Sequence, residues 1–200
     1  MRYPPVQIGQ FESGNEIEND LNNLYLEGGG GGQQTESYEL GLYFLARKTA
    51  SDHFQRRGRK GYAFIIGDEL PYNRVKRREV EDVFGDRVQA DIPIRDIVDE
   101  ARQKFEIYFI LPNLTSYYND PKILDVWRAL LGQNVLRLND PAGISELIAS
   151  TIGLSEDAVA LSGLSADLRK AGAARTVADA VSSALAHVAP EGAAPGTGLG

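Results

Sequence analysis

The chain has no cysteine in 200 residues, one methionine, one tryptophan and two histidines. The missing thiols exclude a disulfide framework, thiolate-ligated zinc and a cysteine nucleophile, and they suit a reducing compartment. His53 and His187 stand far apart, and no carboxylates pair at a recognisable catalytic spacing. There is no Gly-x-Ser-x-Gly elbow; Leu161-Ser162-Gly163-Leu164 reads as a helix break. These gaps argue for a binding protein rather than an enzyme. No apolar run approaches the ~18 residues of a membrane span. The start Met1-Arg2-Tyr3-Pro4-Pro5 resembles neither a signal nor a transit peptide, so the expected location is the cytoplasm. Positive charge is also short: 21 basic residues face 28 acidic ones, for a net charge of −7. That sign argues against a nucleic-acid or anionic-membrane partner. The local clusters Arg56-Arg57-Gly58-Arg59-Lys60 and Lys76-Arg77-Arg78 therefore read as solvated faces, with no interleaved aromatics of the kind single-strand binders use.

What is present is ordinary globular sequence, 42% hydrophobic and 24% charged. Val6 to Phe11 alternates as a half-wet strand does, and Glu16 to Leu26 has the stripe Ile17, Leu21, Leu24, Tyr25 of a short amphipathic helix. From about Ser37 to Thr49 a helix is expected with apolar residues on nearly every side. Three continuous apolar runs, 61–67, 106–111 and 134–138, have the character of strands covered on both faces. Helical patterns fall at about 73–83, 93–104, 121–131 and 143–152. This alternation predicts an α/β fold, an open, mostly parallel Rossmann-like sheet flanked by helices. Residues 1–154 are expected to form that domain, 155–189 a small helical appendage rich in Ala, Leu and Ser, and 190–200 a flexible tail.

Two motifs carry chemistry. The run Gly28, Gly29, Gly30, Gly31, Gly32 leads through Gln33-Gln34 to Thr35 and Glu36, just ahead of the helix at Tyr38. The strand Tyr62–Ile66 ends in Gly67-Asp68-Glu69. A hydroxyl before a helix and a carboxylate past a strand end are oxygen donors suited to a hard cation such as Mg²⁺. Taken singly, Thr35 also reads as a plain N-cap and Asp68-Glu69 as a solvated turn.

Together these motifs resemble the second and third elements of the metal-ion-dependent adhesion site of von Willebrand factor A domains, intracellular bacterial type. The resemblance spans about residues 5–152 and implies a partial version of that fold. It implies a protein-interaction module in which Thr35 and Asp68 hold Mg²⁺ or Mn²⁺ weakly, with Glu69 and Glu36 as accessory groups. It also implies a protein partner, of which an AAA+ ATPase of the MoxR type is one example. The family's first element, Asp-x-Ser-x-Ser on the central strand, is absent; the nearest decoy is Asp179-Ala180-Val181-Ser182-Ser183. In that frame 61–67, 106–111 and 134–138 correspond to the last three parallel strands, and two strands before them are missing. The expectation is then that Met1 is internal to a longer gene product, or that another polypeptide supplies those strands. The edge left open at 61–67 would favour self-association. The alternative is a nucleotide- or phosphate-binding α/β enzyme using Gly28–Gly32 as an anion loop, although no Lys follows the glycines as a P-loop requires.

Overall fold

The computed structural model describes residues 6–9, 11–26 and 34–186. The glycine run Gly28–Gly32, His187 and the tail at 190–200 lie outside the described residues. The chain divides into two compact units, Met1–Ala50 with Leu70–Gln103, and Ser51–Glu69 with Lys104–Gly200. We refer to them as the helical unit and the sheet unit. In chain order the elements begin α1 (Glu16–Asn23), β1 (Thr35–Glu36), α2 (Tyr38–Tyr43), α3 (Asp52–Arg57) and β2 (Gly61–Ile66). They continue with β3 (Leu70–Pro71), β4 (Arg74–Val75), α4 (Arg77–Phe84), β5 (Ile92–Pro93), α5 (Ile94–Arg102) and β6 (Phe105–Pro112). The last are α6 (Pro121–Leu131), β7 (Val135–Leu138), α7 (Ile144–Ser155), α8 (Leu164–Lys170) and α9 (Arg175–Leu185).

In the sheet unit the three apolar runs are the three strands, all parallel, in the order β2-β6-β7. The registers run from Gly61 opposite Phe105 to Ile66 opposite Ile110, and from Phe109 opposite Val135 to Pro112 opposite Leu138. Helices cover both faces, which is why the strands read as unbroken apolar runs. Tyr108, Ile110, Leu136 and Leu138 pack with Leu147 of α7, Leu164 of α8 and Val181 and Leu185 of α9. One residue out of phase, Phe109 faces the other way and stacks on Trp127 of α6, ring centroids 4.1 Å apart. Helices α8 and α9 thus belong to the core of this unit.

Local signals position these elements. Asp120 caps α6, its carboxylate accepting the Lys122 N–H at 2.9 Å, and Pro121 fills the first turn where its missing N–H costs nothing. Asp140 does the same before Pro141, accepting from Ala142 N–H at 3.1 Å. Gly58 ends α3 at φ 64°, a left-handed conformation that most side chains resist. Strand β2 has β6 as its only strand neighbour among the described residues, and Ile66 at its end is 46% exposed.

The helical unit has no comparable sheet. Its strands are two residues long: β1 runs parallel to β3, and β4 antiparallel to β5. Helix packing supplies the core, with Leu40, Leu42 and Tyr43 of α2 and Ile97, Val98 and Ala101 of α5 all buried. Tyr43 stacks on Phe84 at 5.2 Å and donates to Asp86 at 2.8 Å. Lys48 Nζ meets the same carboxylate at 2.5 Å, and Arg47 forks onto Glu100 through Nε and Nη2 at 2.8 and 2.7 Å.

Three expectations are corrected. Helix α2 runs only to Tyr43, and Phe44–Lys48 widens into a π-helical turn, not regular α-helix to Thr49. The strand expected at Val6–Phe11 is absent among its described residues, because no neighbouring strand accepts it; instead the Gln7 side chain bonds both backbone groups of Tyr25. Helix α1 stops at Asn23, and its apolar stripe stays out of the core, with Ile17 and Leu21 half-exposed or more.

Candidate functional site at the carboxyl rim of the sheet

Parallel sheets present loops and ligands beyond the carboxyl ends of their strands. In the sheet unit that rim carries a connected set of polar groups. Asp68, two residues past β2, accepts the backbone N–H of Tyr117 on Oδ2 at 3.2 Å, tying it to the loop after β6. Within that loop Asn113 Oδ1 accepts the Leu114 N–H at 2.8 Å, while its Nδ2 donates to the Asn139 carbonyl past β7 at 3.2 Å. Thr115 Oγ1 donates back to the Pro112 carbonyl at 2.9 Å. These bonds hold Leu114 at φ 69°, uncommon for a bulky residue, with its side chain 87% exposed.

The network continues to β7. The Tyr118 hydroxyl donates a short bond to Asn139 Oδ1. Arg137 Nη2 donates to the Tyr118 carbonyl at 3.2 Å and to Asn119 Oδ1 at 3.3 Å, and the guanidinium lies 4.3 Å from the Tyr118 ring centroid. Hydrogen bonds, chain neighbours and one stacked cation therefore link Asp68 to Arg137.

The residues singled out from the sequence fall as follows. Asp68 and Glu69 lie in the sheet unit beyond β2; the Glu69 carbonyl accepts from Trp127 Nε1 at 2.9 Å. Thr35 and Glu36 belong to the helical unit. Thr35 does not open a helix. It pairs with Leu70 in the β1–β3 ladder, and Ser37 takes the N-cap position of α2 without a side-chain bond. A Thr in an extended bridge is unremarkable, since β-branching favours that backbone. Within the sheet unit the predicted donors are thus the two carboxylates Asp68 and Glu69, and one Asp68 oxygen already accepts an amide. Asn113 Oδ1 accepts within the loop, and Thr115 Oγ1 spends its proton on the Pro112 carbonyl. Such a set fits a loosely held, largely hydrated Mg²⁺ rather than a caged ion. Among the described residues no group of three or more His, Cys, Asp or Glu is arranged to hold a metal.

Three of the four cations in the basic cluster that begins in α3 are locally paired. Arg56 pairs with Asp52 at 3.3 Å, Lys60 with Glu106 at 2.8 Å, and Arg59 with Glu156. Glu156 also accepts from the Tyr62 hydroxyl at 2.7 Å; burial first, then this carboxylate, pushes the phenol up to about 12.

Two residues escaped the sequence reading. Glu39 is 1% exposed on α2, and one carboxylate oxygen has no hydrogen-bond partner among the described residues. Desolvation pushes its carboxyl up to about 7, with Glu79 adding to the rise and Lys76 and the backbone amides of Glu39 and Tyr72 opposing it. The second is Arg137, whose Nε is buried without an acceptor among the described residues. Both carried a signal. Glu39 is the one acid in a helix apolar on nearly every side, and Arg137 the one charge in the strand at 134–138.

Comparisons with protein-family models, with curated proteins and with solved structures find no match to this chain.

Proposed function

We propose that the chain is a non-enzymatic protein-interaction module that engages its partner at the carboxyl rim of the β2-β6-β7 sheet. The observation that carries this reading is Leu114. A leucine held at positive φ costs on the order of 1–2 kcal/mol, and folds keep such strain where a surface has work to do. Here the strained residue presents an apolar side chain to solvent on the rim that also carries the carboxylate of Asp68. An exposed leucine beside an acid suits recognition of another protein, as an apolar anchor with a polar neighbour. The resemblance to von Willebrand factor A domains points the same way. It adds Mg²⁺ as the cofactor, held through Asp68 and water. Thr35, in the other unit, is left out of this reading.

Water-proton relaxation with Mn²⁺ tests it on the full chain. Asp68→Asn keeps an acceptor for the Tyr117 amide while removing the charge. Weak, saturable Mn²⁺ binding that Mg²⁺ competes and Asp68→Asn removes is the expected result. Tight binding unaffected by Asp68→Asn would place the metal elsewhere and remove the support for this rim.

A further inference from the structure

Two arginines of the sheet unit border one cavity. The cavity, about 270 Å³, lies against β7 between α6 and α9, and its polar lining is Tyr118, Arg128, Arg137, Asn139 and Ser183. Among the described residues no Asp or Glu lines it. That is unusual in a chain with net charge −7. Cations elsewhere in the same unit, such as Arg59 and Lys60, are paired with carboxylates. The Arg128 guanidinium has no ion pair or hydrogen bond among the described residues. Among the described residues Arg137 donates through Nη2 to neutral oxygens only, and its buried Nε–H has no acceptor. A buried donor left unmade is costly, and an unplaced ion or water is a standard reason for one.

Asp140 and Asp179 line a neighbouring recess. Asp140 caps the Ala142 N–H, and Asp179 accepts from Ser165 at 2.8 Å and pairs with Arg175 at 3.6 Å. Among the described residues neither arginine is paired with an acid.

We propose that this cavity binds the phosphate group of a small phosphate ester. The Arg137 and Arg128 guanidinium groups supply charge, and the Asn139 amide and Ser183 hydroxyl complete the cradle. Groups arrive from α6, β7 and α9, which suits a tetrahedral dianion; a planar carboxylate is served by a single guanidinium fork. The volume is slightly below the roughly 300–1,000 Å³ of drug-sized ligand sites, so the ester is small. The site uses neither Asp68 nor the glycine run, and it stands or falls independently of the metal.

The test is calorimetry and amide-shift mapping on the full chain, with inorganic phosphate, glycerol phosphate and acetate at matched ionic strength. Both phosphates should bind saturably, the ester at least as tightly, with shifts at Arg137, Asn139 and Ser183. Arg137→Gln should remove binding. Because it also releases the Tyr118 loop, the exposed variants decide: Arg128→Ala should weaken binding about tenfold, and Ser183→Glu should abolish it. Arg169→Ala on α8 is the unaffected control. Absent binding, equal binding of acetate, rejection of the ester, or affinity unchanged in Arg128→Ala and Ser183→Glu would each overturn the proposal.

Discussion

The sheet unit and the helical unit hold themselves together by different means. In the sheet unit, ladder hydrogen bonds run continuously through β2, β6 and β7, and the most deeply buried strand side chains are apolar, with Ile107, Phe109, Ile110 and Leu136 all at 0% exposure. In the helical unit the ladders are two residues long, and polar groups sit inside the packing. Glu39 is as buried as Leu40 beside it, both at 1%. The first arrangement depends on burial of apolar surface, which titrates with nothing. The second includes a carboxyl whose charge the interior resists. The two regions should therefore respond differently to a core deletion and to pH.

The largest expected effect is in the sheet unit. Trp127 is fully buried, stacks on Phe109 and donates to the Glu69 carbonyl. Trp127→Ala removes the ring and leaves both a cavity and a carbonyl without its donor. The expected loss is about 3–5 kcal/mol, read as a fall in urea midpoint and in amide protection across β2, β6 and β7. A loss under about 1 kcal/mol would mean that the α6 face is not part of the core.

Next in size is Glu39. A carboxyl raised from 4.5 to about 7 corresponds to roughly 3 kcal/mol. At pH 4 folded and unfolded states both hold the proton. Between about 4.5 and 7 the unfolded chain releases it while the folded one keeps it, so stability falls as pH rises, and above about 7 the loss is complete. Glu39→Gln should flatten this slope, leave stability at pH 4 nearly unchanged and raise it at pH 8. Hydrogen exchange at pH 5 and pH 8, corrected for intrinsic rates, should show the slope in α2 and α5 and not in β6. Equal slopes in both units would break the contrast.

A smaller effect is expected at Leu114. Glycine accepts φ 69° without strain, and little packing is lost from a side chain 87% exposed. Leu114→Gly should stabilise the sheet unit by about 0.5 kcal/mol, the relief of strain less the extra backbone entropy of glycine. Destabilisation would show that the leucine is held by contacts rather than by its loop.

The same contrast explains what was legible. Strands β2, β6 and β7 and helix α6 were readable because each has a local cause: unbroken apolar runs for the strands, Asp120-Pro121 and Gly132 around the helix. The parallel order followed from helices intervening between the strands. In the helical unit, β1, β3, β4 and β5 were not readable, since a two-residue bridge has no periodicity and forms only where distant segments meet. Thr35 was misplaced for that reason: the chain ahead of a helix favours a cap by local rules, and the tertiary pairing with Leu70 overrides them. Asp68 was readable as a residue past a strand end, but its bond to the Tyr117 amide was not, because it joins loops 49 residues apart. Arg137 and Glu39 were visible only as single charges in apolar segments, a pattern that also marks solvated strand edges and helix faces.

The reading of the rim as the binding surface is tested most directly by site-resolved amide broadening with Mn²⁺ on the full chain. Broadening should centre on Gly67–Glu69 and on Asn113–Tyr117, spread toward Asn139, and vanish in Asp68→Asn. Broadening centred away from these residues, or unchanged in Asp68→Asn, would contradict it.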